Sequence, residues 1–344
     1  MLNRNRLSLF IGLALAVAAV VFKTPLASSQ GLTITVAYVT GELPVSDPFS
    51  ELWNQATAVE VPLSAQIIAR PIQPVTNIKS VTTRALHNGE EIALMMEWAD
   101  PTRDESVLRV EDFRDGAAVQ FPLAEALPFY CMGQQGGDVN IWHWKADWQA
   151  AITARQELHD QFPNMYVDQY PFTEEGEDAL TAAYTDIAYM TAQAAGNLMA
   201  ADVHASPVEN LVAGGFGSLT SQPLERQNVG GYGEWSDGVW RVIYSRSLAS
   251  MESDDVSLAP QTIYSVAFAA WDGSNEERNG TKSTSQWVSM QLADFAAAAS
   301  PAPEAAPVAP FSLPGWLWLI LLVLLSLLVG GSAFYYHLGT KRSM

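Results

Sequence analysis

Hydrophobic and polar residues alternate with a period of two along much of the chain, and the alternation predicts β-strands. From Lys79 to Trp98 the sequence reads KSVTTRALHNGEEIALMMEW, two alternating runs flanking Asn88-Gly89. That dipeptide favours a type I′ turn, so the segment predicts a hairpin. Ala117 to Phe121, Val139 to Trp144, Val239 to Arg246 and Thr262 to Trp271 repeat the signature, each rich in β-branched or aromatic residues and bounded by Gly, Asp, Asn or Pro. The pattern predicts a mainly β fold, an antiparallel β-sandwich with a few helical insertions. One helix is expected from Glu174 to Ala201, where alanines and other helix formers dominate. The glycine-rich Gly214 to Leu219 lacks the Lys-Ser/Thr of a phosphate loop and reads as an irregular connection.

Both ends depart from this pattern. Residues 1–29 carry Arg4 and Arg6, an apolar run from Leu7 to Phe22, and small residues Ala27 to Ser29. This is an export signal, cleaved or, because Lys23 interrupts the run, retained as an N-terminal anchor. Either form puts the following domain outside. Pro314 to Tyr336 is apolar, and at about 1.5 Å per residue it spans a hydrocarbon core of roughly 30 Å. Trp316, Trp318, Tyr335 and Tyr336 sit where interfacial belts belong, and Lys341 and Arg342 follow as a positive-inside signal. The expected order is therefore a signal (1–29), an extracytoplasmic domain (30–294), a linker (295–313) rich in Ala and Pro, a single C-terminal transmembrane helix (314–336) and a cytoplasmic tail (337–344). The protein is expected in the cell membrane with its main domain on the periplasmic or external side.

Composition narrows the function. The formal net charge is −19 and no cluster among the 18 Lys and Arg residues exceeds two, which excludes a phosphate-binding face and hence nucleic acid as a partner. The single cysteine, Cys131, excludes an internal disulfide, a cysteine-held iron–sulfur cluster and covalent c-type haem. His87, His143, His159, His204 and His337 are scattered without metal-ligand spacing, and no G-x-S-x-G elbow is present, so hydrolysis has no support. His143 lies between Trp142 and Trp144, on the opposite strand face from both, and reads as a structural residue.

Several blocks carry a resemblance. Asp47-Pro48, Trp53, VEVPLSAQ (59–66), EWADPT (97–102), DGAAVQFP (115–122), MGQQGGDVNIWHWKADWQ (132–149), GNLMAADVHASPVENLVAGGFGSLT (196–220), WRVIYSR (240–246) and VAFAAWDGSNEERNGTKSTSQW (266–287) resemble, in order, the haem-binding subunit family typified by ethylbenzene dehydrogenase γ. Members are third subunits of dimethyl sulfoxide reductase-type molybdoenzymes acting on ethylbenzene, dimethyl sulfide, selenate, chlorate, nitrate or nitrite. The resemblance implies a β-sandwich with one non-covalent haem b, held by a methionine that matches Met132 and a lysine that matches Lys282.

The ligand types are chemically apt. A thioether is a soft iron ligand that raises the reduction potential, and an amine coordinates only when deprotonated, which burial and an adjacent metal cation favour. Cys131 beside Met132 remains an alternative, because thiolate also binds iron. Lys145 is the alternative lysine; as a residue following a strand it is expected to be exposed or to contact a haem propionate.

The resemblance further implies an electron-transfer subunit, not an enzyme in its own right. Its partners would be a molybdopterin α subunit, an iron–sulfur β subunit, the membrane, and a redox acceptor such as a cytochrome or a quinone-linked protein. The C-terminal anchor suggests the nitrate reductase or nitrite oxidoreductase branch. A competing reading is a membrane-anchored glycan-binding or adhesion module without haem, using exposed aromatic side chains.

Overall fold

The computed structural model describes residues 32–294 apart from 125–126, 129–131, 154–155, 166–191, 193–194 and 201–203. The chain divides into two compact units at Ala299–Ser300, and all described residues belong to the first. The signal, linker and transmembrane segments, and most of the helix expected from Glu174 to Ala201, lie outside them. Among the described residues no helix is long and apolar enough to cross a membrane.

The predicted hairpin is present as β4 (Ser80–His87) and β5 (Glu91–Ala99). Its turn differs from expectation: Asn88 pairs with Glu91 through its N–H at 3.2 Å, which leaves Gly89-Glu90 as the central dipeptide. Gly89 has a φ of 97° and Glu90 is not among the residues of positive φ, the type II′ rather than the I′ pattern. The Asn88 side chain instead accepts the N–H groups of Glu90 and Glu91 at 3.0 and 2.8 Å. Four further predicted strands appear as β6 (Gly116–Pro122), β7 (Val139–Lys145), β11 (Val239–Ser247) and β12 (Ile263–Trp271).

The remaining strands are β1 (Thr33–Tyr38), β2 (Val59–Pro62), β3 (Ser64–Ala65), β8 (Val208–Ala213), β9 (Thr220–Ser221), β10 (Gly230–Ser236), β13 (Ser283–Thr284) and β14 (Val288–Leu292). Short helices α1 (Ala146–Thr153) and α2 (Leu158–Gln161) follow β7. The main path of pairing is β10-β11-β5-β4-β1-β14-β12-β6-β7-β8-β9.

The architecture is mainly β, but the expectation of a wholly antiparallel one is corrected. β1 runs parallel to both of its neighbours, β4 and β14, so the sheet is mixed. Alternation specifies which face of a strand is buried and says nothing about the direction of its partner.

β12 bends the sheet back on itself. Its first half, Ile263 to Val266, pairs with β14, and its second half, Ala267 to Trp271, pairs with β6. The two halves face each other across one apolar core. Trp98 from β5 and Trp240 from β11 meet Trp144 from β7 there, at ring separations of 6.2 and 4.8 Å. These fully buried rings carry large apolar areas, which makes this contact a main source of the driving force for closing one half over the other.

β10, GGYGEWS, has no strand-like composition, yet it pairs with β11 along its whole length. A Cβ at Gly233 would fall 2.3 Å from the Trp144 ring. Only glycine lets this strand lie against the tryptophan cluster.

Candidate haem site

Strand alternation gives the β6–β7–β8–β12 half-sheet a second face. Trp142 and Trp144 point into the main core, whereas Ile141 and His143 point the other way. On β6 the outward residues are Gly116, Ala118 and Gln120, and on the adjoining half of β12 they are Ala267, Ala269 and Trp271. Small side chains on two neighbouring strands leave a flat floor. Loops from residues 66–71, 107–114, 216–219 and 277–282 rise around it and enclose a cavity of about 640 Å³.

Met132 and Lys282 line this cavity, and Lys282 Nζ lies 3.7 Å from Met132 Sδ although 150 residues separate them in sequence. Met132 stands within the β6–β7 connection with a φ of 72°, followed by Gly133 at 73°. Left-handed backbone at a non-glycine residue is uncommon and persists only where the surroundings impose it. Here the Met132 N–H donates to Gln120 Oε1 at 2.8 Å, and its carbonyl accepts from the Gly215 N–H at 2.8 Å. A Cβ at Gly133 would meet the carbonyls of Ala213 and Gly137 at 2.7 Å, so the turn requires glycine.

Lys282 is 7% exposed, and its ammonium lies 4.9 Å from the centre of the Trp271 ring. Its loop is held by Gln66. The Gln66 amide donates to the carbonyls of Gly280 and Ala69, both at 2.8 Å, and accepts the N–H groups of Ile68 and Ala69 at 2.7 and 2.8 Å. The Gln66 backbone N–H donates to the Lys282 carbonyl at 3.1 Å.

His143 lies on the face opposite Trp142 and Trp144, as its position predicts, and stacks on Trp271 with ring centres 4.7 Å apart. Burial, reinforced by the charges of Lys145, Arg114 and Lys282, pushes its pKa well below the ordinary histidine value. It is a neutral wall of the cavity at physiological pH. Arg70, Arg109, Arg114 and Arg278 also line the cavity. Arg109 and Arg114 are tied to Asp112 and Asp147 at 2.7 and 2.6 Å.

The expectation for Lys145 is corrected. It is 2% exposed, forms a short ion pair with Glu209, and its ammonium lies 3.7 Å from the centre of the Trp148 ring. It does not line the cavity. Desolvation lowers its pKa to about 8 despite the opposing pull of Glu209. Cys131 lies outside the described residues. Residue type alone missed the cavity-facing Gln120, Gln66 and Trp271, since none carries a motif of its own.

The donor set and the space fit a haem. The cavity falls within the roughly 300–1,000 Å³ of sites that bury sizeable organic ligands, and its flat apolar floor suits a planar macrocycle. A thioether sulfur and an amine nitrogen facing each other across 3.7 Å are donor types that haem iron accepts. Arg70 and Arg278 offer guanidinium partners for carboxylates.

A family model for ethylbenzene dehydrogenase matches residues 50–283. Similar curated proteins include a candidate respiratory nitrate reductase heme subunit of Haloferax mediterranei, 29% identical over 285 residues that cover 80% of this chain and 82% of that protein. Dimethylsulfide dehydrogenase subunit gamma of Rhodovulum sulfidophilum is 28% identical over 270 residues, covering 74% and 78% of the two chains. Chlorate reductase subunit gamma of Ideonella dechloratans is 24% identical over 291 residues, covering 82% and 95%. Among solved structures, a family 9 carbohydrate-binding module from Caldicellulosiruptor kristjanssonii in complex with cellotriose aligns at 8% identity over 82% of this chain and 100% of that one, with a TM-score of 0.35. The sequence match spans the strands and loops that build the cavity: the chain belongs to the ethylbenzene dehydrogenase γ-subunit family.

Proposed function

We propose that the protein is an electron-transfer subunit in which Met132 and Lys282 would hold the iron of one haem b. The observation that carries this reading is the meeting of a thioether and an amine, brought from distant parts of the chain, at 3.7 Å inside a cavity of about 640 Å³. Haem b supplies a one-electron iron couple when bound. Met132 and Lys282 would hold the iron through a thioether and an amine, and the thioether and the burial of the site would set its potential. Trp271 and neutral His143 wall the cavity, while the arginines around it suit the propionate carboxylates.

The relatives' names support the wider setting. This reading places the chain beside the molybdopterin and iron–sulfur subunits of an extracytoplasmic oxidoreductase of the nitrate, nitrite or related kind. It would pass electrons between the iron–sulfur subunit and the respiratory chain, through a cytochrome or a quinone-linked acceptor. The 1–29 segment would export the domain and the 314–336 segment would tether it to the membrane, with the tail in the cytoplasm.

Visible and electron paramagnetic resonance spectra of the purified full chain test the ligands. Low-spin spectra are expected for the parent and loss of that signature in both Met132→Ala and Lys282→Ala; unchanged low-spin spectra in both variants refute the assignment. Co-purification tests the setting: a chain isolated from its host membrane without a molybdenum subunit argues against the relay.

A further inference from the structure

Three buried carboxylates meet at one end of the fold, apart from the Met132–Lys282 pair. Asp100 follows β5, Asp115 precedes β6 and Asp272 follows β12; they are 1%, 0% and 6% exposed, and one oxygen from each lies within 4.8 Å of the others. Glu277, 1% exposed, adjoins them by accepting the Asp272 N–H at 3.0 Å.

The cluster has donors but no counter-charge. Asp115 accepts the N–H groups of Asp104 and Gly273 and the Trp240 indole N–H at 2.8, 2.9 and 2.9 Å. Asp272 accepts from the Ser274 hydroxyl and the Asn275 side-chain amide, both at 2.7 Å. Asp100 uses Oδ1 for Thr102, whose N–H lies at 3.0 Å, but its Oδ2 is buried with no hydrogen-bond partner. The Trp98 indole N–H acts on the same carboxylate without closing a hydrogen bond. Among the described residues no ion pair reaches any of the three, and Arg114, next to Asp115, is bound to Asp147.

Several uncompensated carboxylates in one dry pocket repel one another and forgo hydration, so they call for a proton or a cation. Burial and the charge of Asp100 raise the Asp115 pKa to about 7.

We infer that Asp100, Asp115 and Asp272 bind a divalent cation of the hard, oxygen-seeking kind, calcium being the fitting example. Calcium–oxygen bonds of about 2.3–2.6 Å allow ligand oxygens up to about 5 Å apart across the ion, which accommodates the observed cluster. Asp100 Oδ2, buried and without a hydrogen-bond partner, supplies an unused lone pair within the cluster. Asp100 comes from the half-sheet of β4, β5 and β11, whereas Asp115 and Asp272 flank the pair Gly116–Trp271 in the other half. The ion therefore joins the two halves and fixes the start of the 272–282 segment that leads to Lys282. The site stands whether or not the cavity takes haem.

The test uses the full chain purified without chelator. Elemental analysis is expected to find one calcium per chain. Removing it should lower the melting temperature by on the order of 5–10 °C, and adding calcium back should restore it. Terbium in place of calcium should luminesce on tryptophan excitation, since the Trp240 indole N–H lies 2.9 Å from Asp115 Oδ2. Asp100→Asn should weaken terbium binding by about tenfold or more. Absence of bound divalent metal together with a melting temperature indifferent to chelator and calcium overturns the inference, and these arms need no variant. Equal terbium binding by the parent and Asp100→Asn also overturns it, by marking the binding as adventitious.

Discussion

Replacing Gln66 by alanine separates the support of Lys282 from Lys282 itself. Gln66 is 4% exposed and its side chain makes four hydrogen bonds of 2.7–2.8 Å, to Gly280, to Ile68 and twice to Ala69. A net value of about 1 kcal/mol per bond sets a ceiling near 4 kcal/mol. Ile68 is exposed and Ala69 half-buried, so water can replace part of what is lost and the expected destabilisation falls to about 2 kcal/mol. For a domain of this size that is a melting-temperature drop of about 4–8 °C, measurable by circular dichroism. The second readout distinguishes positioning from mere stability. With its loop untied from residues 66–69, Lys282 should be displaced from the iron in a fraction of molecules, seen as a high-spin component in the ferric spectrum, while the Met132 side stays intact. Gln66→Glu keeps the shape and the acceptor but loses both donors to Gly280 and Ala69, and should give an intermediate spectrum. A Gln66→Ala protein that melts within about 1 °C of the parent and has an identical spectrum refutes the reasoning.

Other outcomes follow from packing and charge. Lys145→Met leaves Glu209 buried without its cation and should cost about 3–5 kcal/mol in urea unfolding, and a Lys145→Met/Glu209→Gln double variant should recover most of it. Lys145 titrates near 8 in the folded protein and at 10.5 ordinarily, so between these values the unfolded chain binds more protons. Its contribution to stability must therefore rise with pH across that window, and the difference between parent and Lys145→Met, measured by urea unfolding at several pH values, should show it; a difference that falls refutes the assignment. Gly233→Ala sets a methyl group 2.3 Å from the Trp144 ring, which is fully buried and has nowhere to swing. A loss of about 1–3 kcal/mol by thermal melting is expected, and an unchanged melt would mean that β10 packs differently.

What the sequence made legible depended on how local the determining physics was. β4, β5, β6, β7, β11 and β12 were readable because alternation of β-branched and aromatic residues is a property of one segment. β10 was not, because its glycines answer to Trp144 and Val208, residues distant in sequence that a Cβ at Gly233 or Gly231 would strike. The parallel pairing of β1 was equally hidden, since nothing within Thr33–Tyr38 encodes the direction of β14. Lys145 looked exposed because lysine usually is, yet Glu209 on the neighbouring strand makes its burial tolerable. Met132 and Lys282 carry no signal as residue types; the family resemblance singled them out, and their juxtaposition emerges only when the β6–β7 and β12–β13 connections are brought together.

The placement of the cavity follows from how the two faces of one half-sheet are used. Trp142, Trp144, Phe121 and Phe268 fill the inner face, while a smaller cluster of Val139, Ile141, Leu211 and Ala213 covers part of the outer one. With most bulk on the inner face, β6 and β12 can carry glycine and alanine on the outer one where a core would demand larger side chains. That leaves depth for a ring, with both candidate ligands on connections outside the strands, each fixed by a buried glutamine: Gln120 for Met132 and Gln66 for Lys282. An electron carrier benefits from that arrangement, because a site that is rigid in both oxidation states loses little energy to rearrangement on each transfer, and here Gln120 and Gln66 fix the backbone of both candidate ligands.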